Sequence, residues 1–324
     1  MARKNILITG CGPNGIGGAL AREFQERGHR VFASGLSEPL LLAGGFAELG
    51  MDTVVMDVTS QVSIDAAVSR VRAALALTGG GGGSKPPQLH VLVNNAGVLH
   101  VAPFADTAVE DARRVFEVNV LGPFAVTQAF LPLLLNAAAT EAGSVDGSTS
   151  DAVVANLGSI NTILRPPFFS AYNASKAAVE VLGATMRTEL APLGVRVVTL
   201  KTGSVRTGLF GNAPPAPLPE GSRYAPLRRF IEGRAMLEGA AYMDVDEYAR
   251  NVVGELLQPS GKRVVWQGGL TTVSWLLSWL GWDGLLVSVV RFPLLGRWGC
   301  RGARHRTWDE ICLPLLGLLS YKRK

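Results

Sequence analysis

The sequence predicts an α/β fold: one doubly wound domain on a parallel sheet, followed by a hydrophobic and basic C-terminal extension. Three observations carry that expectation. Apolar runs of strand length alternate with helix-length stretches, the pattern of a parallel sheet with crossover helices. The first run, residues 5–9, leads into a glycine-rich turn and then a helix. Charge and tryptophan gather at the end of the chain. Residues 291–324 hold eight Lys or Arg against two acids, while the preceding residues are near neutral. All six tryptophans, Trp266, Trp275, Trp279, Trp282, Trp298 and Trp308, lie in the last fifth.

A chain of 324 residues, 48% hydrophobic and 18% charged, holds one large α/β domain or two small ones. Cys11, Cys300 and Cys312 make an odd count without metal-ligand spacing. They point to a reducing compartment, no disulfide framework and no metal site. No signal peptide is read at the start, so secretion is not expected.

In chain order, the first strand ends in Thr9-Gly10-Cys11-Gly12-Pro13-Asn14-Gly15-Ile16-Gly17-Gly18, and a helix follows over residues 19–27. Gly10 permits a tight turn, and Gly15 and Gly17 let the backbone and the helix N-terminus approach a pyrophosphate. The plainer alternative is an ordinary strand-to-helix turn. Residues 30–34 form the second strand. Ser34-Gly35-Leu36-Ser37 replaces the carboxylate that a site for NAD usually places there, so NADP is favoured. No Arg stands in this turn, which leaves Ser34, Ser37 or a distant base to meet a 2′-phosphate.

The third strand, residues 53–56, ends in Asp57-Val58, where the Asp accepts from an adenine amino group or caps a helix. A helix over 64–77 and a flexible glycine connector over 79–83 come next. The fourth strand, 89–93, leads to Asn94-Asn95-Ala96-Gly97, small and amide residues suited to adenine and ribose, or simply a turn. An amphipathic helix over 111–118 meets Asn119, unfavourable inside a helix and so a kink former or a holder of ordered water. The next helix, through Phe130 and Leu135, ends in a polar loop over 140–150. The strand 153–157 then carries Ser159 at its carboxyl end, where open α/β sheets place ligands.

Tyr172 and Lys176 follow on the next helix, four apart and therefore on one face. A nearby ammonium lowers a phenol's pKa from about 10, and a serine hydroxyl can hold a carbonyl oxygen. That set suits carbonyl reduction; a chance Tyr and Lys on a surface helix is the plain alternative. Gly194 closes the helix. The sixth strand, 195–200, leads to Lys201-Thr202-Gly203-Ser204-Val205-Arg206-Thr207, glycine and hydroxyls suited to a carboxamide. Residues 209–226 form a proline-rich candidate lid, with helices over 227–237 and 245–257 behind it. Arg223, Arg228 and Arg229 either meet an anionic substrate or are merely solvated. Residues 263–267 are the last strand.

The glycine turn, Asn94-Asn95-Ala96-Gly97, Asn119, Ser159, Tyr172-x-x-x-Lys176 and Gly203-x-Val205-x-Thr207 stand in one order over residues 5–267. In this the chain resembles the short-chain dehydrogenase/reductases, which implies a Rossmann-fold catalytic domain over residues 1–267 with its lid near 208–240, and an extension over 268–324. The resemblance implies that Tyr172 is the general acid, that Lys176 lowers its pKa and contacts the nicotinamide ribose, that Ser159 orients the substrate and that Asn119 holds a relay water. It implies cofactor contacts from Gly10, Ile16, Gly17, Asp57, Val58, Asn95, Tyr172, Lys176, Val205 and Thr207. Four residues instead of the usual three separate Gly10 from Gly15, similar to a fungal branch that reduces 1-acyldihydroxyacetone phosphate with NADPH. Thr202 stands where the family usually has Pro.

The expected activity is NADP(H)-dependent ketone reduction, or its reverse, on an apolar or lipid-like ketone or alcohol. The rivals are a tailoring ketoreductase of a fungal polyketide or terpenoid pathway and a cofactor-sensing or scaffolding protein. Trp275, Trp279 and Trp282 share a helix face ahead of the basic tail. This suggests a peripheral membrane anchor, against a subunit interface, a pocket lid or a true span. The expected location is the cytoplasmic face of an intracellular membrane, endoplasmic reticulum or lipid droplet, or the cytosol. Self-association is left open, and no nucleic-acid partner is expected.

Overall fold

Seven strands run parallel in the order β3-β2-β1-β4-β5-β6-β7. They are β1 (Asn5–Ile8), β2 (Arg30–Gly35), β3 (Asp52–Val55), β4 (Val91–Asn94), β5 (Ala152–Leu157), β6 (Val195–Thr202) and β7 (Val264–Gln267). The Val, Ile and Leu runs of the inner strands β1, β2, β4, β5 and β6 are buried on both faces, as crossover helices require, while Val55 on the edge strand β3 is exposed. These elements come from a computed structural model that describes residues 2–78, 86–139, 152–208, 216–233, 241–259 and 261–280. The glycine connector, the polar loop over 140–150, part of the lid and residues 281–324, with Trp282, Trp298 and Trp308, lie outside the described residues.

On one face, Leu20 and Phe24 of α1 (Ile16–Glu26) share a core with Tyr248, Val252 and Val253 of Val245–Leu256. On the other, Ile64 and Val71 of α3 (Gln61–Thr78) pack with Val126, Phe130 and Leu133 of α5 (Gly122–Ala139). The short α2 (Glu38–Ala43) was not anticipated, and α1 begins three residues before the expected helix because Gly15 is already extended, at φ −106°. Helix α4 (Val109–Phe116) joins α5 through a π-helical turn, Glu117–Leu121. The whole stretch Val109–Ala139 is long and apolar enough to cross a bilayer, but 44% of its apolar window is buried, and α5 serves the sheet core.

Helices α6 (Asn161–Leu164), α7 (Ser170–Leu190), α8 (Arg228–Glu232) and α9 (Val245–Leu256) follow, and α10 (Thr271–Leu280) packs on α6 and β7. Residues 268–280 are tied to the sheet edge: Ser204 and Gly269 exchange backbone hydrogen bonds of 3.0 and 2.9 Å, and Thr271 and Ser274 are buried. The other side of α10 exposes Val273, Trp275, Leu276 and Trp279, with the two indoles edge to face at 6.1 Å.

Candidate active site

The carboxyl ends of β1 and β4 are knotted through Thr9. Its hydroxyl accepts from the amides of Asn95 (3.0 Å) and Ala96 (2.9 Å). The Asn95 side chain donates to the carbonyls of Thr9 (2.8 Å) and Gly10 (3.0 Å). Gly10 has φ +70°, and a Cβ there would lie 2.6 Å from Ala96 Cα, so only glycine fits. A Cβ at Gly17 would strike the Asn95 amide. Gly17→Ala is therefore expected to cost about 1–3 kcal/mol of stability by unseating Asn95, measured by urea unfolding.

On its other side the turn is open. A Cβ at Gly12 would meet only Leu40, at 3.7 Å, and one at Gly15 only the Gly12 carbonyl, at 3.9 Å. The first turn of α1 has neither a side-chain cap nor an acidic residue. This exposed backbone at a helix N-terminus suits a dinucleotide pyrophosphate, so the residues present fit the expected cofactor.

The other expected cofactor residues are spread around this turn. Ile16 opens α1, half-buried. The 204–208 segment reaches the turn, since Gly208 N donates to Asn14 O at 3.0 Å. Within that segment Thr207 is half-buried, while the Val205 side chain belongs to the α1 core. Asp57 and Val58 lie beyond β3, two strands away. One Asp57 oxygen accepts from the Thr59 amide and hydroxyl, at 2.9 and 2.7 Å, a turn just ahead of α3, whose cap is Ser60, accepting from Ser63 N at 3.3 Å. Val58 packs in the α3–α5 core, where a Cβ at Gly122 would touch it. Ser34 is fully buried within β2, and its hydroxyl has no partner among the described residues. Of the three groups considered for a 2′-phosphate, Ser34 is thus withdrawn, because both faces of β2 are covered at that position; Ser37 remains exposed.

The second cluster forms where β5, α7 and the π turn meet. Asn119, 1% exposed, accepts from Val98 N (2.8 Å) and donates to Val98 O (3.0 Å) and Ser175 Oγ (3.0 Å). Ser175 in turn donates to the Tyr172 carbonyl at 2.8 Å. Both Asn119 N–H donors are thereby spent on holding the kink. Gly97 passes between Asn119 and Lys176: a Cβ there would lie 3.3 Å from Asn119 Oδ1 and 3.7 Å from Lys176 Nζ. Lys176 Nζ donates to Leu157 O at 2.7 Å and lies 5.7 Å from the centre of the Tyr172 ring. Ser159, at the end of β5, shares a hydrogen bond with the Tyr172 hydroxyl and accepts from Asn161 N at 3.1 Å.

The electrostatics differ from the sequence expectation. Burial pushes the Tyr172 phenol up to about 12, with the Ser159 hydrogen bond pulling the other way. Burial brings the Lys176 ammonium down to about 8. Low dielectric penalises both charged forms, and this outweighs the expected lowering of the phenol by the ammonium. The phenol is therefore firmly protonated at neutral pH, the state an acid needs before it gives a proton.

An apolar wall stands beside Tyr172. Leu99, Val101 and Phe169 are buried together, with Phe168 and Tyr172 packed against them. Phe168 has φ +71°, a conformation that costs a bulky residue about 1–3 kcal/mol and is kept where surroundings enforce it. Its carbonyl accepts from Ala102 N at 2.9 Å. Its ring meets Tyr224 (6.1 Å, 87°) and Phe230 (6.2 Å, 74°) edge to face. Ser222 donates to Asp106 at 2.6 Å, pinning this part of the lid. Arg228 is paired with Glu232 at 2.6 Å, and Arg223 and Arg229 are exposed. Leu99 also lines a neighbouring cavity of about 230 Å³ with His100, Asp106, Arg114 and Leu218.

Sequence reasoning missed Thr9, Ser175 and the aromatic contacts of Phe168. It also gave no account of Thr202, whose hydroxyl lies 2.7 Å from that of the buried Tyr248 and ties β6 to α9. Lys201, also on β6, pairs with Glu180 and donates to Thr162 Oγ1 at 2.7 Å. Thr162 in turn donates to the Ser159 carbonyl at 3.0 Å. Among the described residues no group of three His, Cys, Asp or Glu is placed to hold a metal.

A doubly wound sheet with a glycine turn at its first strand end and a Tyr–Lys–Ser cluster at its fifth defines an oxidoreductase. The chain belongs to the short-chain dehydrogenase family, whose model matches residues 4–217. A short-chain dehydrogenase/reductase of Pestalotiopsis microspora is 34% identical over 274 residues, covering 82% of this chain and 85% of its own. The NADPH-dependent 1-acyldihydroxyacetone phosphate reductase of Schizosaccharomyces pombe is 34% identical over 253 residues, 76% of each chain. The crystal structure of a short-chain dehydrogenase from Streptomyces avermitilis superposes with a TM-score of 0.67 at 26% identity, covering 92% of this chain and 98% of that one.

Proposed function

We propose that the protein reduces a ketone to a secondary alcohol, or runs the reverse oxidation, with NADP(H), on an apolar or lipid-like substrate. The observation that carries this reading is the meeting of Ser159 and Lys176 around the half-buried, protonated phenol of Tyr172, with Asn119 tied to the same helix through Ser175. When bound, NADPH would supply the hydride that the carbonyl carbon takes up. Tyr172 gives its hydroxyl proton to the carbonyl oxygen, and Ser159 shares the charge developing there. Lys176 stabilises the phenolate left behind, and Asn119 with Ser175 fixes the helix that carries both. Gly10, Ile16, Gly17 and Asn95 would hold the cofactor at the glycine turn, with Asp57, Val58, Val205 and Thr207 as its further expected contacts.

The choice of NADP(H) rests on the absent carboxylate at residues 34–37 and on the NADPH dependence in the Schizosaccharomyces relative's name. That relative also makes 1-acyldihydroxyacetone phosphate a substrate candidate, beside a ketone of a polyketide or terpenoid pathway. The test is cofactor consumption against a ketone panel, with NADPH and NADH in parallel. A preference for NADH overturns the cofactor choice, and failure to turn over any ketone or alcohol overturns the reaction.

The apolar side of α10 is our basis for a peripheral contact with an anionic membrane, at the cytoplasmic face of an intracellular compartment. Replacing Trp275 and Trp279 together with Ser is expected to reduce flotation with anionic vesicles several-fold. Equal flotation of parent and variant would remove the anchor.

A further inference from the structure

We propose that the aromatic wall selects a neutral ketone whose carbonyl lies one or two carbons from a flat aromatic ring in the same fused system, over both saturated ketones and phosphorylated acyl ketones. This rests on the ketone-reductase reading and narrows its substrate.

Four observations combine. The half-buried rings of Phe168, Tyr224 and Phe230 come from two segments far apart in sequence and meet edge to face. They continue the surface that starts at Tyr172, through Phe169, Leu99 and Val101. Phe168 is held at φ +71°, and its carbonyl is anchored to Ala102, so its ring is placed against backbone preference. Of the lid cations, Arg228 is bonded to Glu232 and to the Leu218 carbonyl, and Arg223 and Arg229 stand exposed to solvent and are not among the rings of the wall. Edge-to-face walls gain more from a flat ring than from a puckered one, because ring edges meet π faces. A phosphate set against the rings themselves would lose hydration, and its cation would have to come from Arg114 of the neighbouring cavity or from the exposed Arg223 and Arg229.

The test compares 2-tetralone with 2-decalone, bicyclic ketones that differ in aromaticity, and adds 1-palmitoyl dihydroxyacetone phosphate. The unmodified protein is expected to prefer 2-tetralone by about tenfold in kcat/KM, mostly through KM. Phe168→Gly removes the ring while suiting the positive φ, so the variant should fold, and the preference should drop toward parity. Tyr224→Leu should lower it by a smaller factor. Equal use of the two bicyclic ketones overturns the proposal, as does a preference for the phosphorylated substrate or an unchanged ratio in Phe168→Gly. A binding arm is independent of turnover: 2-naphthol titrated by fluorescence should bind the parent and weaken about tenfold in Phe168→Gly. If no ketone reacts but naphthol binding behaves this way, the reductase reading fails and the aromatic site stands. If ketones react without aromatic preference, the reverse holds.

Discussion

Tyr172→Phe is expected to lower turnover by about 10³-fold while leaving NADPH binding within a few-fold of the parent. The substitution deletes one oxygen. The ring keeps its packing against Leu99, Val101 and Phe169, and the helix keeps its Ser175 tie, because that bond uses the Tyr172 backbone carbonyl. What is lost is the proton donor and its hydrogen bond with Ser159. Steady-state NADPH consumption and cofactor fluorescence separate the two effects. Retention of more than about a tenth of the parent rate would remove Tyr172 from the acid's role.

Lys176→Met should reduce turnover by about 10²-fold and also change the pH profile. Burial brings the Lys176 pKa from 10.5 to about 8. In the parent, reduction should therefore fall as pH rises through about 8, when the charge facing the phenolate is lost. The variant should lack that limb. Stability should move the opposite way. A lowered lysine pKa means that the unfolded chain binds more protons between about 8 and 10.5, so stability rises with pH across that window. Burying the ammonium costs the parent most below pH 8, and that cost fades toward pH 10. Denaturant titrations at pH 7 and 10 should show the parent gaining ~1–3 kcal/mol on the Met variant. A parallel response in both would mean that Lys176 titrates as it does in water.

What could be read in advance divides by range. Tyr172 with Lys176, and the glycines from Gly10 to Gly18, are encoded within a few residues, so spacing alone exposes them. The same holds for the strands, whose apolar runs fall within a residue or two of their observed limits. Thr9 meets Asn95 across 86 positions and Ser175 meets Asn119 across 56, so nothing local marks either pair. Thr202 looked like a departure from a proline, but its reason, the Tyr248 hydroxyl, lies 46 residues on. The phenol's pKa was misjudged for a related cause: charge proximity shows in a sequence, whereas removal from water is a property of the packed chain. Ser34 was misplaced because it lies within β2, one residue short of its end, where helices cover both faces of the sheet.

The π turn at Glu117–Leu121 has a consequence for redesign. A π turn holds about one residue more than an α-helical turn, so the surplus residue is taken up locally and the helix beyond it keeps its phase. Deleting one residue there would restore a regular helix with Phe130, Leu133 and Leu134 still on the sheet, while Asn119 would lose the wide turn that aims it at Val98 and Ser175. The inserted position thus serves the chemistry and is dispensable to the layer behind it.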